Sequence, residues 1–540
     1  MKKVTSVLTL LLWSSIPTFA TEDASVDLNQ KIQLLERQTQ ALQKELNQLR
    51  TQLTKHPIPQ KAPKQLKPRS SKTPHKKPIA AKKRVKKGNN KSKIHNSHVY
   101  VHTLNGHPES VEYNPTALLS EGKVVTYIAG TPVVTAPYLG SRPAYNGSDY
   151  IVNISSINRD LRLMEQRRQL YRAYTGIAYP RPNTPIIALS GKAEPAGTIG
   201  NSYSPNASNW DMNWDLGAAE LDAAASLNHI VQAYLSLAYD PSPPSTSHER
   251  VGNSAVGLGM GFINIGDLDR SPFYFTAGQL YVPFGRFSSA MVSAPLPMIM
   301  GRTKARPFIF GYKSQRNTGP FAAIYGFKGD TTLNDNGVGG ANLGYEFDTR
   351  YFDGEVGASF ISSINNAGGM QLNGSSQDQG TFGGFGSILH GSEAVKRIPA
   401  VDAHATIRFG SYNITGEWIT STQPFLAEDL SYNGYGAQPQ AMHVEAGKTF
   451  IIFHKPSTIA GTFQWSKQAL ALTIPQRRFS AVFNISIWKD TVESLEFRHD
   501  IDYKNTQFAN GSAPPGTVNN NTLGTGNSSN TLLAQIGVYF

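Results

Sequence analysis

The sequence predicts an all-β transmembrane antiparallel barrel of about 16 strands, preceded by an N-terminal α-helical coiled coil. Three observations lead there. Leu532, Ala534, Ile536, Val538 and Phe540 are apolar at every second position, and Phe540 ends the chain. A period of two puts all five on one face of a strand. Lys2 and Lys3 precede a short apolar run, with Thr18-Phe19-Ala20 after it, the pattern of a secretory signal peptide cut after Ala20. No later stretch approaches the ~18 apolar residues a membrane helix needs. With no cysteine, the chain is neither a lipoprotein nor stapled by disulfides.

Beyond the signal peptide (1–20), residues 21–54 read as a coiled coil. Leu28, Leu35, Leu42 and Leu49 lie seven apart, and Ile32, Thr39, Leu46 and Leu53 fill the other seam position. Lys31 then faces Glu36, and Glu45 faces Arg50, across a parallel homo-oligomeric interface. A trimer is expected by analogy with porins; the seam residues alone do not set the number.

Residues 55–98 form a basic linker carrying 15 Lys or Arg and no acid, punctuated by six prolines from Pro57 to Pro78. Like charges repel and proline forbids helix, so an extended, disordered segment is expected. Its charge exceeds the net +13 of the whole chain, so the basic balance says nothing about the barrel. Anionic cell-wall polymer or phospholipid headgroups suit it as partners better than nucleic acid, which is not expected. A solvated spacer is the alternative. His95, His98 and His102 at its edge lack a nearby carboxylate and are read as solvated, so no metal ligand set is assigned.

Residues 99–183 contain extended stretches at 124–128 and 132–135 and a helix at 156–173 with Arg159, Arg162, Arg167, Arg168 and Arg172 on its polar face. The sequence leaves two placements open, a small periplasmic subdomain or a plug in the lumen.

Residues 184–540 read as the barrel. Alternation places strands at 184–194, 214–225, 230–240, 253–265, 272–282, 307–315, 320–328, 341–349, 352–362, 400–409, 412–421, 441–452, 458–468, 478–488, 492–503 and 531–540. The connections then alternate long and short, as outer loops and periplasmic turns do. Treating 380–389 as loop keeps that parity; counting it leaves 18 strands open. Val401, Ala403, Ala405, Ile407 and Phe409 alternate with Asp402, His404, Thr406 and Arg408, so a charged face must meet water in the lumen. A soluble sandwich would put that charged face outward, and periodicity alone does not separate the two.

The clue to a ligand lies at 270–329, where 60 residues hold no Asp or Glu and eight bases. Arg286, Arg302, Lys304 and Arg306 fall in the third outer loop, stiffened by Pro283, Pro295 and Pro297; Lys313 and Arg316 follow. These six are the candidate ligand-binding residues of a basic constriction. Such a neck draws anions and grips carboxylates bidentately. A basic rim facing lipopolysaccharide phosphate is the alternative.

Several segments resemble a known family. Ser190-Gly-Lys-Ala-Glu194, Trp214-Asp-Leu-Gly-Ala-Ala-Glu-Leu-Asp222, Thr276-Ala-Gly-Gln-Leu-Tyr-Val-Pro-Phe-Gly285 and Arg302-Thr-Lys-Ala-Arg306 resemble the LbtU-type (legiobactin-uptake) siderophore porins of bacterial outer membranes. So does the order of signal peptide, coil, linker and barrel. The resemblance implies an outer-membrane receptor or porin that passes anionic ferric siderophore to the periplasm; it supplies no binding residues. The ending at Phe540 also resembles the C-terminal signal of outer-membrane barrels, which implies recognition by barrel assembly machinery. A general anion porin and an envelope tether are the competing readings. No enzyme is expected and no cofactor: there is no Gly-x-Ser-x-Gly elbow and no His-Glu-x-x-His, and His443-Val-Glu445 lacks the cysteines of a zinc deaminase. Gly257-x-Gly259-x-Gly261 falls on an expected strand, where small-residue packing explains it better than phosphate binding.

Overall fold

The computed structural model describes residues 124–128, 131–135, 157–176, 185–201, 210–239, 256–316, 318–329, 337–349, 351–370, 396–427, 429–488, 491–509 and 523–540. The signal peptide, the coiled-coil seam from Leu28 to Leu53, the basic linker and His95, His98 and His102 lie outside them, as does 380–389.

Sixteen strands close a cylinder. They are β1 (Ile186–Gly200), β2 (Asp211–Ser226), β3 (Val231–Tyr239), β4 (Gly257–Ile265), β5 (Phe273–Tyr281), β6 (Phe308–Lys313), β7 (Gly319–Lys328) and β8 (Gly337–Asp348). The second half comprises β9 (Asp353–Ile361), β10 (Ala400–Phe409), β11 (Tyr412–Ser421), β12 (Gln440–Ile452), β13 (Lys455–Lys467), β14 (Arg477–Ile485), β15 (Thr491–Ile501) and β16 (Ser528–Tyr539). Each pairs antiparallel with the next, and β16 returns to β1. Closure leaves no row of unpaired backbone donors along the wall, which hydrocarbon would not tolerate. Gly257, Gly259 and Gly261 lie on β4, which turns into β5 without a helix.

The two faces are opposite to those of a soluble protein. Phe308, Ile324 and Leu343 are 60–62 % exposed, while Glu355, Asp402, Glu417, Glu445 and Glu496 are buried. A soluble sandwich would reverse that assignment, so the choice left open by periodicity falls to the barrel.

Two departures from the sequence expectation have physical causes. β1 runs to Gly200 rather than stopping at 194. Pro195 lies within it, a residue without a donor that normally ends a strand. A bulge absorbs it: Glu194 faces both Gly217 and Ala218 on β2. Gly217 has φ 63°, and a Cβ there would collide with the Glu194 carbonyl. Gly217→Ala is therefore expected to cost at least ~1–2 kcal/mol from the left-handed backbone alone. The checking measurement is the temperature at which the folded band converts to the unfolded band on a gel, which should fall. The other departure is the tight β12–β13 turn, Phe453-His454, with φ 51° and 59° and no glycine. These angles suit a two-residue hairpin but give no composition signal.

β16 stops where Phe540 exchanges backbone hydrogen bonds with Gly191. The edge of β1 beyond that point is taken by a hairpin, Val124–Ile128 with Thr131–Thr135, whose second arm runs parallel to β1 from Val133↔Ile187 to Thr135↔Leu189.

Helix α1 (Arg159–Gly176) lies three residues later than expected. Its described side chains, through Arg168, pack inside the barrel. Leu161, Leu163 and Met164 join Ile186, Ala188, Phe262 and Tyr274 in one buried cluster. Residues 157–168 thus pack against inward-facing side chains of the wall.

Candidate functional site

Between β5 and β6 the chain enters the lumen as a long loop, 282–307. Residues 282–297 are all buried. Small residues (Ser288, Ser289, Ala290, Ser293, Ala294) let the backbone approach the opposite wall, and a short helix α2 (Leu296–Gly301), with Pro297 in its first turn, ends the descent.

Carboxylates of the wall hold the loop by its backbone. Glu417 on β11 accepts from Arg286 N and Phe287 N, each at 2.7 Å. Glu445 on β12 accepts from Ala290 N at 2.9 Å and from the Ser289 hydroxyl at 2.6 Å. Glu496 on β15 accepts from Val292 N at 2.6 Å, Ser293 N at 2.9 Å and the Ser293 hydroxyl. Gln464 Oε1 on β13 accepts from Leu296 N at 2.7 Å, and Ser359 Oγ on β9 from Gly285 N at 2.9 Å. In the other direction Asn484 Nδ2 donates to the Ala290 carbonyl and Arg478 Nη1 to the Ala294 carbonyl. These partners sit at inward positions of β9 and β11–β15, so six of the sixteen strands are a receptor for one loop. Charge-assisted bonds of this kind are the strong ones, and each is expensive to leave unmade.

The opposite wall holds α1. Arg159 Nη1 lies 2.6 Å from Glu220 and 3.8 Å from Asp222 on β2, and donates to the Tyr234 hydroxyl on β3. Thr276 on β5 donates its hydroxyl proton to Asp160 Oδ2 at 2.8 Å, and Asn264 Nδ2 on β4 donates to the Asp160 carbonyl at 3.0 Å. Burial pushes the Asp160 carboxyl up from its ordinary range, against the pull of the Thr276 bond. Arg167 Nη2 reaches the Gly266 carbonyl in the β4–β5 turn at 2.7 Å. The turn end of the lumen is therefore occupied by α1.

The six bases expected to line one neck are separated by the structure, and that expectation is corrected. Arg286 is buried, its Nε and Nη2 each 2.5 Å from Glu355 on β9. It anchors the loop. Lys313 is buried on β6 between Glu346 and Glu165 of α1. Arg316 is exposed in the short β6–β7 turn, at the other end of the barrel from the long loops. Arg302, Lys304 and Arg306 stay together on the limb returning to β6. The Arg302 guanidinium lies 4.7 Å from the Tyr281 ring centre, and Arg306 Nε donates to Gln279 Oε1 at 3.2 Å. Among the described residues these three have no carboxylate within ion-pair distance. Sequence reasoning missed Glu355, Glu417, Glu445 and Glu496. Their only advance signal is a glutamate in mid-strand on the inward face, which is costly in a membrane and so needs a task.

No family model matches the chain. Among solved structures, it is similar to the outer membrane channel DcaP of Acinetobacter baumannii (11 % identity, 66 % of this chain and 97 % of that one, TM-score 0.40) and to an anion-selective porin from Comamonas acidovorans (10 %, 66 % and 99 %, 0.42). Similarity in sequence is far higher elsewhere. A UPF0422 protein of Legionella pneumophila (strain Philadelphia 1) is 60 % identical over 449 residues, 83 % of this chain and 84 % of that protein. A UPF0422 protein of Coxiella burnetii is 34 % identical over 410 residues, 75 % and 83 % of the two chains. Relatives this similar over most of their length place the chain in the UPF0422 family.

Proposed function

We propose that this protein is a bacterial outer-membrane channel for small anionic solutes, with ferric carboxylate siderophore as cargo. A closed barrel with an apolar exterior suits a bilayer, and a loop folded into a polar lumen suits a selective pore. The observation that carries the anionic reading is the trio Arg302, Lys304 and Arg306, three neighbouring cations on the returning limb of that loop with no ion pair among the described residues. Uncompensated charge of one sign beside low-dielectric walls focuses potential and draws in counter-ions. Iron bound by carboxylate ligands travels as a polyanion and needs no chemistry on the way. The resemblance of the Arg302-Thr-Lys-Ala-Arg306 segment to LbtU-type porins supports the same cargo. The channel works as a homo-oligomer, a trimer, through the heptad leucines.

The test is uptake of radiolabelled ferric citrate by cells with and without the protein, beside a neutral disaccharide. The expected result is a several-fold gain for iron alone, lost on combining Arg302→Ala, Lys304→Ala and Arg306→Ala. An equal gain for the sugar would replace this reading with a general porin. No gain for either would leave a structural tether.

A further inference from the structure

The lumen carries a second constellation, at the root of the loop. Asp402 and His404 stand two residues apart on β10 and so share its inner face. Glu417 on β11 is His404's direct partner in the ladder. Potential ligand atoms of the three side chains lie within 4.8 Å of one another, all buried. His404 Nδ1 is 2.8 Å from Asp402 Oδ1. One register position further, His443 on β12 faces Glu417. It is 0 % exposed and neither ring nitrogen makes a hydrogen bond. Its Nε2 lies 3.5 Å from Glu445 Oε2.

Asp402 and Glu417 are two carboxylates in one closed space, and the nearby guanidinium of Arg286 is committed to both oxygens of Glu355. The Asp402 and Glu417 carboxyls lie within hydrogen-bond reach of each other, so one proton between them occupies the place a cation would take. Buried carboxylates stay charged only when paired, hydrogen-bonded or bound to a cation.

We infer that Asp402, His404 and Glu417 form a three-ligand binding site for a divalent transition metal of the zinc class, with the fourth position left to water. One imidazole and two carboxylates, with water, are a donor set that suits Zn²⁺ or Co²⁺, and the imidazole disfavours the all-oxygen preference of Mg²⁺ and Ca²⁺. A cation entering between His404 Nδ1 and Asp402 takes the place of the proton they share. Bonds of about 2.0–2.2 Å require the present spread of donors to contract modestly. The surroundings orient the ligands: Ser359 Oγ donates to Asp402 Oδ1 at 3.3 Å, and the amides of Arg286 and Phe287 hold both oxygens of Glu417. The His404 ring lies over Gly357, where any Cβ would strike it. Glu417 would then serve both the metal and the first residues of the loop, so the bound ion would stiffen the latch.

The experiment uses the full chain, folded in detergent, stripped with a chelator and titrated with CoCl2 and then ZnCl2. The proposal expects saturable Co²⁺ uptake with a visible absorption band, displaced by Zn²⁺. The affinity should fall at least tenfold in a His404→Gln variant that keeps heat-modifiable migration. It should be unchanged in a variant with His95, His98 and His102 all replaced by alanine. X-ray absorption of the zinc-loaded wild type should show imidazole scattering, which decides the matter should the lumen variant not fold. No saturable uptake by the folded chain, loss of uptake in the triple variant, unchanged affinity in His404→Gln, or an all-oxygen shell would each overturn the assignment. None of these readouts depends on what the channel carries.

Discussion

Glu496→Ala is expected to enlarge the pore. The substitution removes the acceptor for Val292 N, Ser293 N and the Ser293 hydroxyl together. A buried donor left unsatisfied costs ~1–3 kcal/mol, so three lost at one point come to roughly 3 kcal/mol or more before lumen water offsets part of it. A tenfold change in the held-to-released ratio needs only ~1.4 kcal/mol. Loop 282–307 should therefore leave the β12–β15 wall for a measurable fraction of the time. Planar-bilayer recording should show single-channel conductance at least doubled, with slow flicker between two levels, and more so when Glu445→Ala is added. The barrel should survive, since the hydrogen bonds removed run to the loop and the strand ladders keep their backbone pairing. Unchanged conductance would mean the loop is held by its apolar contacts, Phe284 and Phe287, and not by the carboxylates.

The second large effect belongs to the opposite wall. Arg159→Ala leaves Glu220 and Asp222 facing each other on β2 with their shared cation gone. Breaking a buried ion pair by removing one partner typically costs 3–5 kcal/mol. The expected outcome is release of α1 from the lumen. Limited proteolysis from the side of the short turns should then cut within residues 159–168, whereas the parent protein should stay intact there. Asp160→Asn is the matched control. Burial already disfavours the charge of Asp160, and an amide oxygen still accepts from Thr276, so the helix should stay docked. Protection retained in Arg159→Ala would show that Leu161, Leu163 and Met164 suffice to hold the helix.

These two latches mark where the sequence stopped being legible. Strand positions were readable because each needs only local alternation: β10 and β11 fall at 400–409 and 412–421, as the pattern of Asp402, His404, Thr406 and Arg408 requires. β1 was cut short because Pro195 is a strand breaker unless a bulge and a glycine on the neighbouring strand receive it, and that neighbour is not in the window being read. The arginines of α1 marked a polar face without naming its partners; Arg159 and Arg167 meet carboxylates and a turn carbonyl that the barrel brings to them. The constriction residues were misassigned for the same reason. A run of bases with no acid nearby in sequence looks uncompensated, yet Arg286 finds Glu355 across 69 residues and Lys313 finds Glu346 across 33. Arg302, Lys304 and Arg306 stay neighbours and, among the described residues, have no carboxylate within ion-pair distance. The latch glutamates take the opposite path, legible one by one as odd charges in strands and meaningful only once a loop about 130 to 200 residues away arrives on them.

The central claim is a cylinder with hydrocarbon outside and a loop-filled polar lumen inside. The chain has no cysteine, so single cysteines can be placed at Leu343, Ile414, Ile459 and Ser289 and labelled with an environment-sensitive fluorophore in reconstituted bilayers. Quenching by nitroxide-bearing lipid at the first three positions, with none at Ser289, is the predicted result. Quenching of the wall positions by aqueous iodide, or of Ser289 by lipid, would contradict it.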